Sequence, residues 1–109
     1  MQLLTEQVAD TLVVAVQERR LDATLAPAFR TELCRLIDGG ERRLVLDLAE
    51  VRMIDSSGLG AIVSVFKHLG GQGRLRICNP QDGVRAVFKL THMDRVFELF
   101  DSRDTAVGG

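Results

Sequence analysis

Met53-Ile54-Asp55-Ser56-Ser57-Gly58-Leu59-Gly60-Ala61-Ile62 is the stretch on which the reading of this chain turns. Before it, Leu44-Val45-Leu46-Asp47-Leu48 is a short apolar run of the kind that forms a strand buried on both faces. Within and after it, Leu59, Ile62, Val63, Phe66 and Leu69 recur at helical spacing until Gly70-Gly71-Gln72-Gly73 ends the pattern. The stretch is therefore a junction between extended chain and helix, and its oxygen-bearing side chains stand at the junction itself. Asp55 or Ser56 can accept hydrogen bonds from first-turn amides, which lack intrahelical partners. Gly58 and Gly60 each cost a helix roughly 1 kcal/mol relative to alanine. Such a cost is expected where something approaches the backbone closely or where the helix packs unusually tight.

Working outward, the chain opens with strand character from Leu3 to Val8, a turn at Ala9-Asp10 and a β-branched run from Leu12 to Val16, which together predict a hairpin at a sheet edge. Asp22 or Thr24 is available to cap a first helix, with Pro27 in a position that a first turn tolerates. Leu25, Ala28, Phe29, Leu33, Leu36 and Ile37 supply the apolar stripe of that helix, and Gly39-Gly40 the left-handed stop. Beyond the central junction, Leu75-Arg76-Ile77-Cys78 reads as a strand broken by Asn79-Pro80, and Val84, Val87, Phe88 and Met93 as the face of a third helix. Val96 to Phe100 reads as a last edge strand, with an optional short helix from Asp101 onward. The order β-β-α-β-α-β-α-β implies an α/β fold: one mixed, mostly parallel sheet of four or five strands, an N-terminal antiparallel hairpin, and helices packed against it. The expected core includes Phe29, Leu46, Ile62 and Phe66. One domain is expected over residues 1–105, with residues 106–109 as a C-terminal tail.

Composition narrows the function classes. The chain has 109 residues, 46% hydrophobic and 27% charged, with a formal net charge of −1, the balance of a single water-soluble domain. Acids and bases are interspersed, so no basic block points to nucleic acid. No apolar run has the length of a membrane span, and MQLLTEQ lacks the pattern of a signal peptide, so a cytoplasmic location is expected. Cys34 and Cys78 lie far apart, without a CxxC or a histidine pair, and read as small buried hydrophobes, so no metal site is expected. His68 and His92 lack acid neighbours in sequence and read as surface residues.

Alone, Asp55-Ser56-Ser57 would be a helix cap and the glycines a packing device. The wider pattern changes this. Asp-Ser-Ser-Gly-Leu-Gly at residues 55–60, after a short apolar strand and before an amphipathic helix, closely resembles the phosphorylation motif of bacterial anti-sigma-factor antagonists of the STAS type. Leu21-Asp22-Ala23-Thr24-Leu25-Ala26-Pro27 resembles that family's second signature, and the resemblance extends over nearly the whole chain. It implies a STAS-like fold and a non-enzymatic switch protein without cofactor, monomeric when free. It further implies that Ser56 is phosphorylated by an anti-sigma-factor serine kinase, that the unphosphorylated form binds and sequesters that kinase, and that a PP2C-type phosphatase restores binding. Asp22, Thr24, Asp55, Ser57, Gly58, Leu59 and Gly60 are then the candidate partner-binding residues around the acceptor. Arg19 and Arg20 depart from the family pattern, which commonly has a glycine two residues before the Leu-Asp signature. The alternative within the resemblance is a non-catalytic STAS scaffold or sensor subunit of a multiprotein complex.

Other chemistries fit worse. Asp47 ends a strand as a receiver aspartate would, but the early acidic pair is missing. Asp-Ser-Ser-Gly lacks the preceding glycine of a nucleophile elbow. Gly70-Gly71-Gln72-Gly73 follows a helix, whereas a phosphate-cradling loop precedes one.

Overall fold

A computed structural model describes residues 1–108. The strands are β1 (Leu3–Val8), β2 (Thr11–Val16), β3 (Arg20–Leu21), β4 (Arg43–Asp47), β5 (Met53–Ile54), β6 (Arg74–Cys78) and β7 (Leu99–Phe100). The α-helices are α1 (Ala26–Asp38), α2 (Ser56–Leu69), α3 (Asp82–Leu90) and α4 (Arg103–Gly108). Five strands make the main sheet in the order β1-β2-β4-β6-β7; β1 and β2 pair antiparallel and the rest pair parallel. The hairpin turn uses Ala9 at φ 55°, and β1 forms one sheet edge as the pattern predicts.

Strand alternation gives the sheet two unlike faces. Leu12, Val14, Val16, Leu44, Leu46, Leu75 and Ile77 share one face and form the main core with Phe29, Leu33, Ile62, Val65 and Phe88. Phe29, Leu46 and Ile62 are buried there as expected, whereas Phe66 is only half-buried, its ring set edge-on to Phe97 at 5.2 Å. Burial at this scale, worth about 25 cal/mol per Å² of apolar surface, fixes α1, α2 and α3 on the sheet. The opposite face carries Val13, Val45 and Cys78, packed against Ala106 and partly against Phe100 and Val107. Polar contacts supplement this smaller core. Buried Asp47 accepts the Arg103 Nε hydrogen bond at 2.6 Å, and buried Arg76 donates from Nη1 to the Ala106 carbonyl at 3.0 Å. The bond to Asp47 holds the Arg103 guanidinium above its usual pKa. Burial, and next the Asp47 carboxylate, push the Cys78 thiol up to about 12, so it is a protonated packing residue at neutral pH. Cys34 is buried as well.

Several local expectations are corrected. The first helix starts at Ala26 without a side-chain cap: Asp22 closes the preceding turn instead, its Oδ1 accepting from the Thr24 amide at 3.1 Å and its carbonyl from the Leu25 and Ala26 amides. At the end of α1 only Gly40 is left-handed, at φ 116°. α3 stops at Leu90, so Met93 belongs to a separate 3-10 turn after His92, which sits at φ 60°. The last strand is two residues long, because Phe97 turns into the core and leaves only Leu99 and Phe100 to pair with β6. Residues Ala106–Gly108 are the end of α4 rather than a tail, with Ala106 1% exposed under the sheet. Gly109 lies outside the described residues. His68 has an acid partner after all, Asp38 on α1, with Nε2 to Oδ1 at 2.7 Å.

Candidate functional site

Two pieces of chain distant in sequence meet at the start of α2. β3 and β5 form a separate two-stranded parallel ladder, with Arg20 opposite Met53 and Leu21 opposite Ile54. Leu21 and Ile54 point into the core, at 0% and 4% exposure, which pins the ladder and delivers Asp55 to the helix N-terminus. Asp55 is extended, at φ −106° and ψ −175°, the backbone geometry of an N-cap. Its Oδ1 accepts from the Gly58 amide at 2.9 Å, and its Oδ2 from the Ala23 amide at 3.3 Å. One carboxylate thus caps α2 and ties the Asp22–Thr24 turn to the same end of the molecule. Of the two capping candidates, Asp55 is the cap, and Ser56 is left as the first helical residue.

Ser56 and Ser57 are both exposed. By helix geometry their amides have no carbonyl within the helix to bond, and the N-terminal end carries the positive pole of the helix dipole. An anion on the Ser56 hydroxyl would therefore meet a favourable field. Beside Ser57, a groove of about 420 Å³ runs between the helices, lined by Ala26, Pro27 and Arg30 from α1 and by Ala61 and Ser64 from α2. On the other side, Asp22, Thr24 and Leu25 line a hollow of about 480 Å³ together with Glu18, Arg19 and Arg20.

The remaining candidates divide by direction. Gly60 is exposed, and a Cβ there would meet no atom within 4 Å. Gly58 is buried: a Cβ there would lie 2.0 Å from the Leu21 carbonyl oxygen and 2.9 Å from Ile54 Cγ1. Gly58 is thus required by the fold, which lets the helix press against the ladder. Leu59 is 7% exposed and belongs to the core cluster. Thr24 is exposed and Asp22 and Asp55 are half-buried, so Asp22, Thr24, Asp55, Ser57 and Gly60 border Ser56 on the surface while Gly58 and Leu59 support it from below. Met53 is a surface residue of this region absent from the sequence-based set; it is 36% exposed on the outward side of the ladder. Its signal in sequence is its place one residue before Ile54, on the opposite parity of a short strand. Among the described residues no group of three or more His, Cys, Asp or Glu side chains is arranged to hold a metal ion, and no helix is long and apolar enough to cross a membrane.

Residues 2–106 match the family model of the STAS domain. The chain is 34% identical over 104 residues to BtrV of Bordetella bronchiseptica, described as an anti-sigma factor antagonist, covering 94% of this chain and 90% of that one. The crystal structure of an anti-sigma factor antagonist from Mycobacterium paratuberculosis superposes with a TM-score of 0.89 at 25% identity, over 98% of this chain and 91% of that one. A Thermotoga maritima structure of the same description gives a TM-score of 0.86 at 27% identity, over 97% and 92% of the two chains. The family match, the relative and the shared architecture agree, and the chain belongs to the STAS-domain family of anti-sigma factor antagonists.

Proposed function

We propose that the protein is the antagonist in a partner switch, with Ser56 as its phosphoacceptor. In its unphosphorylated form it binds and sequesters an anti-sigma-factor serine kinase. Phosphorylation of Ser56 by that kinase ends the complex, and a PP2C-type phosphatase restores it. The protein itself acts by binding and not by catalysis, in the cytoplasm, as a monomer when free.

The observation that carries this reading is the exposed hydroxyl of Ser56 at the first position of a capped helix. A phosphate there adds about −1.5 to −2 charges at the end of a helix that favours anions, so the fold itself tolerates it. Asp55 has already engaged the Gly58 amide, which keeps the helix start rigid whether or not the serine is modified. The cost falls on the docked partner, whose surface must accommodate a bulky dianion in a close contact. Ser57, Gly60, Asp22 and Thr24 form the rim of that contact, and the half-buried Asp55 holds its two halves together.

The direct test is incubation of the protein with its cognate anti-sigma-factor kinase and ATP, followed by peptide mass spectrometry. Phosphate on Ser56, absent from the Ser56→Ala protein, is the expected result. Phosphate confined to Ser57 or another residue would overturn the assignment.

A further inference from the structure

The ladder that feeds α2 presents three arginines without an ion-pair partner among the described residues. Arg19, Arg20 and Arg52 are all exposed. They are drawn together by backbone pairing: the Arg19 carbonyl accepts from the Arg52 amide at 2.8 Å and from the Met53 amide at 3.2 Å, and Arg20 stands opposite Met53 in the ladder. Among the described residues, no carboxylate comes within ion-pair distance of these three guanidiniums. The acids of the adjoining hollow are turned to the backbone, Glu18 accepting from the Gln2 amide at 2.7 Å and Asp22 from the Thr24 amide at 3.1 Å. Glu50, two residues before Arg52, and Asp82, whose neighbour Gly83 lies against the Arg52 carbonyl, are exposed as well but make no ion pair with the cluster. Opposite Arg20 on the ladder lies Met53, one of four large hydrophobic side chains exposed among the described residues. An adaptable apolar side chain beside unpaired arginines has the make-up of an interface, where methionine and arginine are enriched.

We propose that Arg19, Arg20 and Arg52, brought beside Met53 by the backbone pairing of the β3–β5 ladder, form a docking surface for a carboxylate-rich segment of the partner protein. This deepens the partner-switch reading and rests on it for the partner's identity: it assigns the chemistry of the surface that meets the Ser56 end. Guanidinium groups pair bidentately with carboxylates, and complementary charge speeds encounter and excludes wrongly charged partners. The same complementarity makes the switch sharper. A partner that brings carboxylates to this end of the molecule is repelled by a dianion on Ser56, three residues beyond Met53.

The surface can be probed without any kinase. The isotope-labelled chain is titrated with a synthetic peptide of glutamates interrupted by two leucines, with an otherwise equal lysine peptide, and with phosphatidylglycerol vesicles. The glutamate peptide is expected to shift the amides of residues 19–24 and 52–55. Joint Arg20→Glu and Arg52→Glu substitution is expected to weaken that binding by roughly tenfold or more, with the remaining spectrum unchanged as proof of folding. Absence of these shifts, equal binding by the reversed variant, or binding of the vesicles alone would overturn the proposal. With the cognate kinase, equal affinity for Ser56→Ala with and without the two reversals would also overturn it, yet leave the phosphoacceptor reading intact. A kinase that fails to modify Ser56 would sink that reading while the peptide result stands.

Discussion

Gly58 and Gly60 stand two residues apart in the same helix, yet they answer to different demands. Gly58 lies where a Cβ would fall 2.0 Å from the Leu21 carbonyl oxygen, whereas around Gly60 nothing lies within 4 Å. Both weaken an isolated helix equally, so their difference exists only in the folded molecule. The inward side of the first turns, Gly58 and Leu59, fits α2 to the β3–β5 ladder and the core. The outward side, Ser56, Ser57 and Gly60, carries no packing duty of that kind. In the proposed switch, a surface that accepts a phosphate in one state and a partner in the other is built on the back of a tightly fitted contact. Rigidity below is what allows change above.

That division predicts effects of unequal size. Gly58→Ala forces the helix away from a backbone carbonyl and should cost about 3 kcal/mol, lowering the midpoint of thermal unfolding by on the order of 10 °C. A melt unchanged by this substitution would erase the distinction between the two glycines. Asp55→Ala removes acceptors for the Gly58 and Ala23 amides and should cost about 1 kcal/mol. Faster hydrogen exchange at Ala23 as well as at Gly58 would show that the carboxylate joins the two segments; a change at Gly58 alone would reduce it to an ordinary cap. Gly60→Ala should have the smallest effect and the opposite sign, a gain of about 0.4–1 kcal/mol from helix preference and a less flexible unfolded chain. Its cost should appear in the rate of Ser56 phosphorylation, because the added methyl projects from the surface beside the proposed acceptor. Unimpaired phosphorylation would show that Gly60 lies outside the contact.

Much of this architecture can be read from residue patterns because its causes are local. The continuous apolar run Leu12–Val16, buried on both faces, and the helical spacing from Leu59 to Leu69 each reflect which side chains leave solvent, and the positions of β2, β4, β6 and the three large helices follow. The Asp-Ser-Ser junction is likewise legible, since a capping side chain and its amide lie three residues apart. What pattern reading misses depends on contacts across long separations. β3 and β5 are two residues each and owe their existence to each other and to buried Leu21 and Ile54. The reason for Gly58 is a carbonyl on Leu21. Asp22 resembles a helix cap in sequence, but the helix begins only at Ala26, after a turn that Asp22 itself closes. The partner of Asp47, Arg103, lies 56 residues away, and that pairing joins the packing of Ala106 in holding the last residues on the sheet as α4.

The central claim is that a dianion on Ser56 is absorbed locally and changes what can dock, without refolding its carrier. Comparison of amide NMR spectra of the unmodified and Ser56-phosphorylated protein tests it most directly. Shifts confined to the Asp22–Thr24 turn, the β3–β5 ladder and the first turns of α2, with Leu46 and Ile77 unmoved at the centre of the sheet, are the predicted result. Shifts spread through β4, β6 and α3 would contradict it.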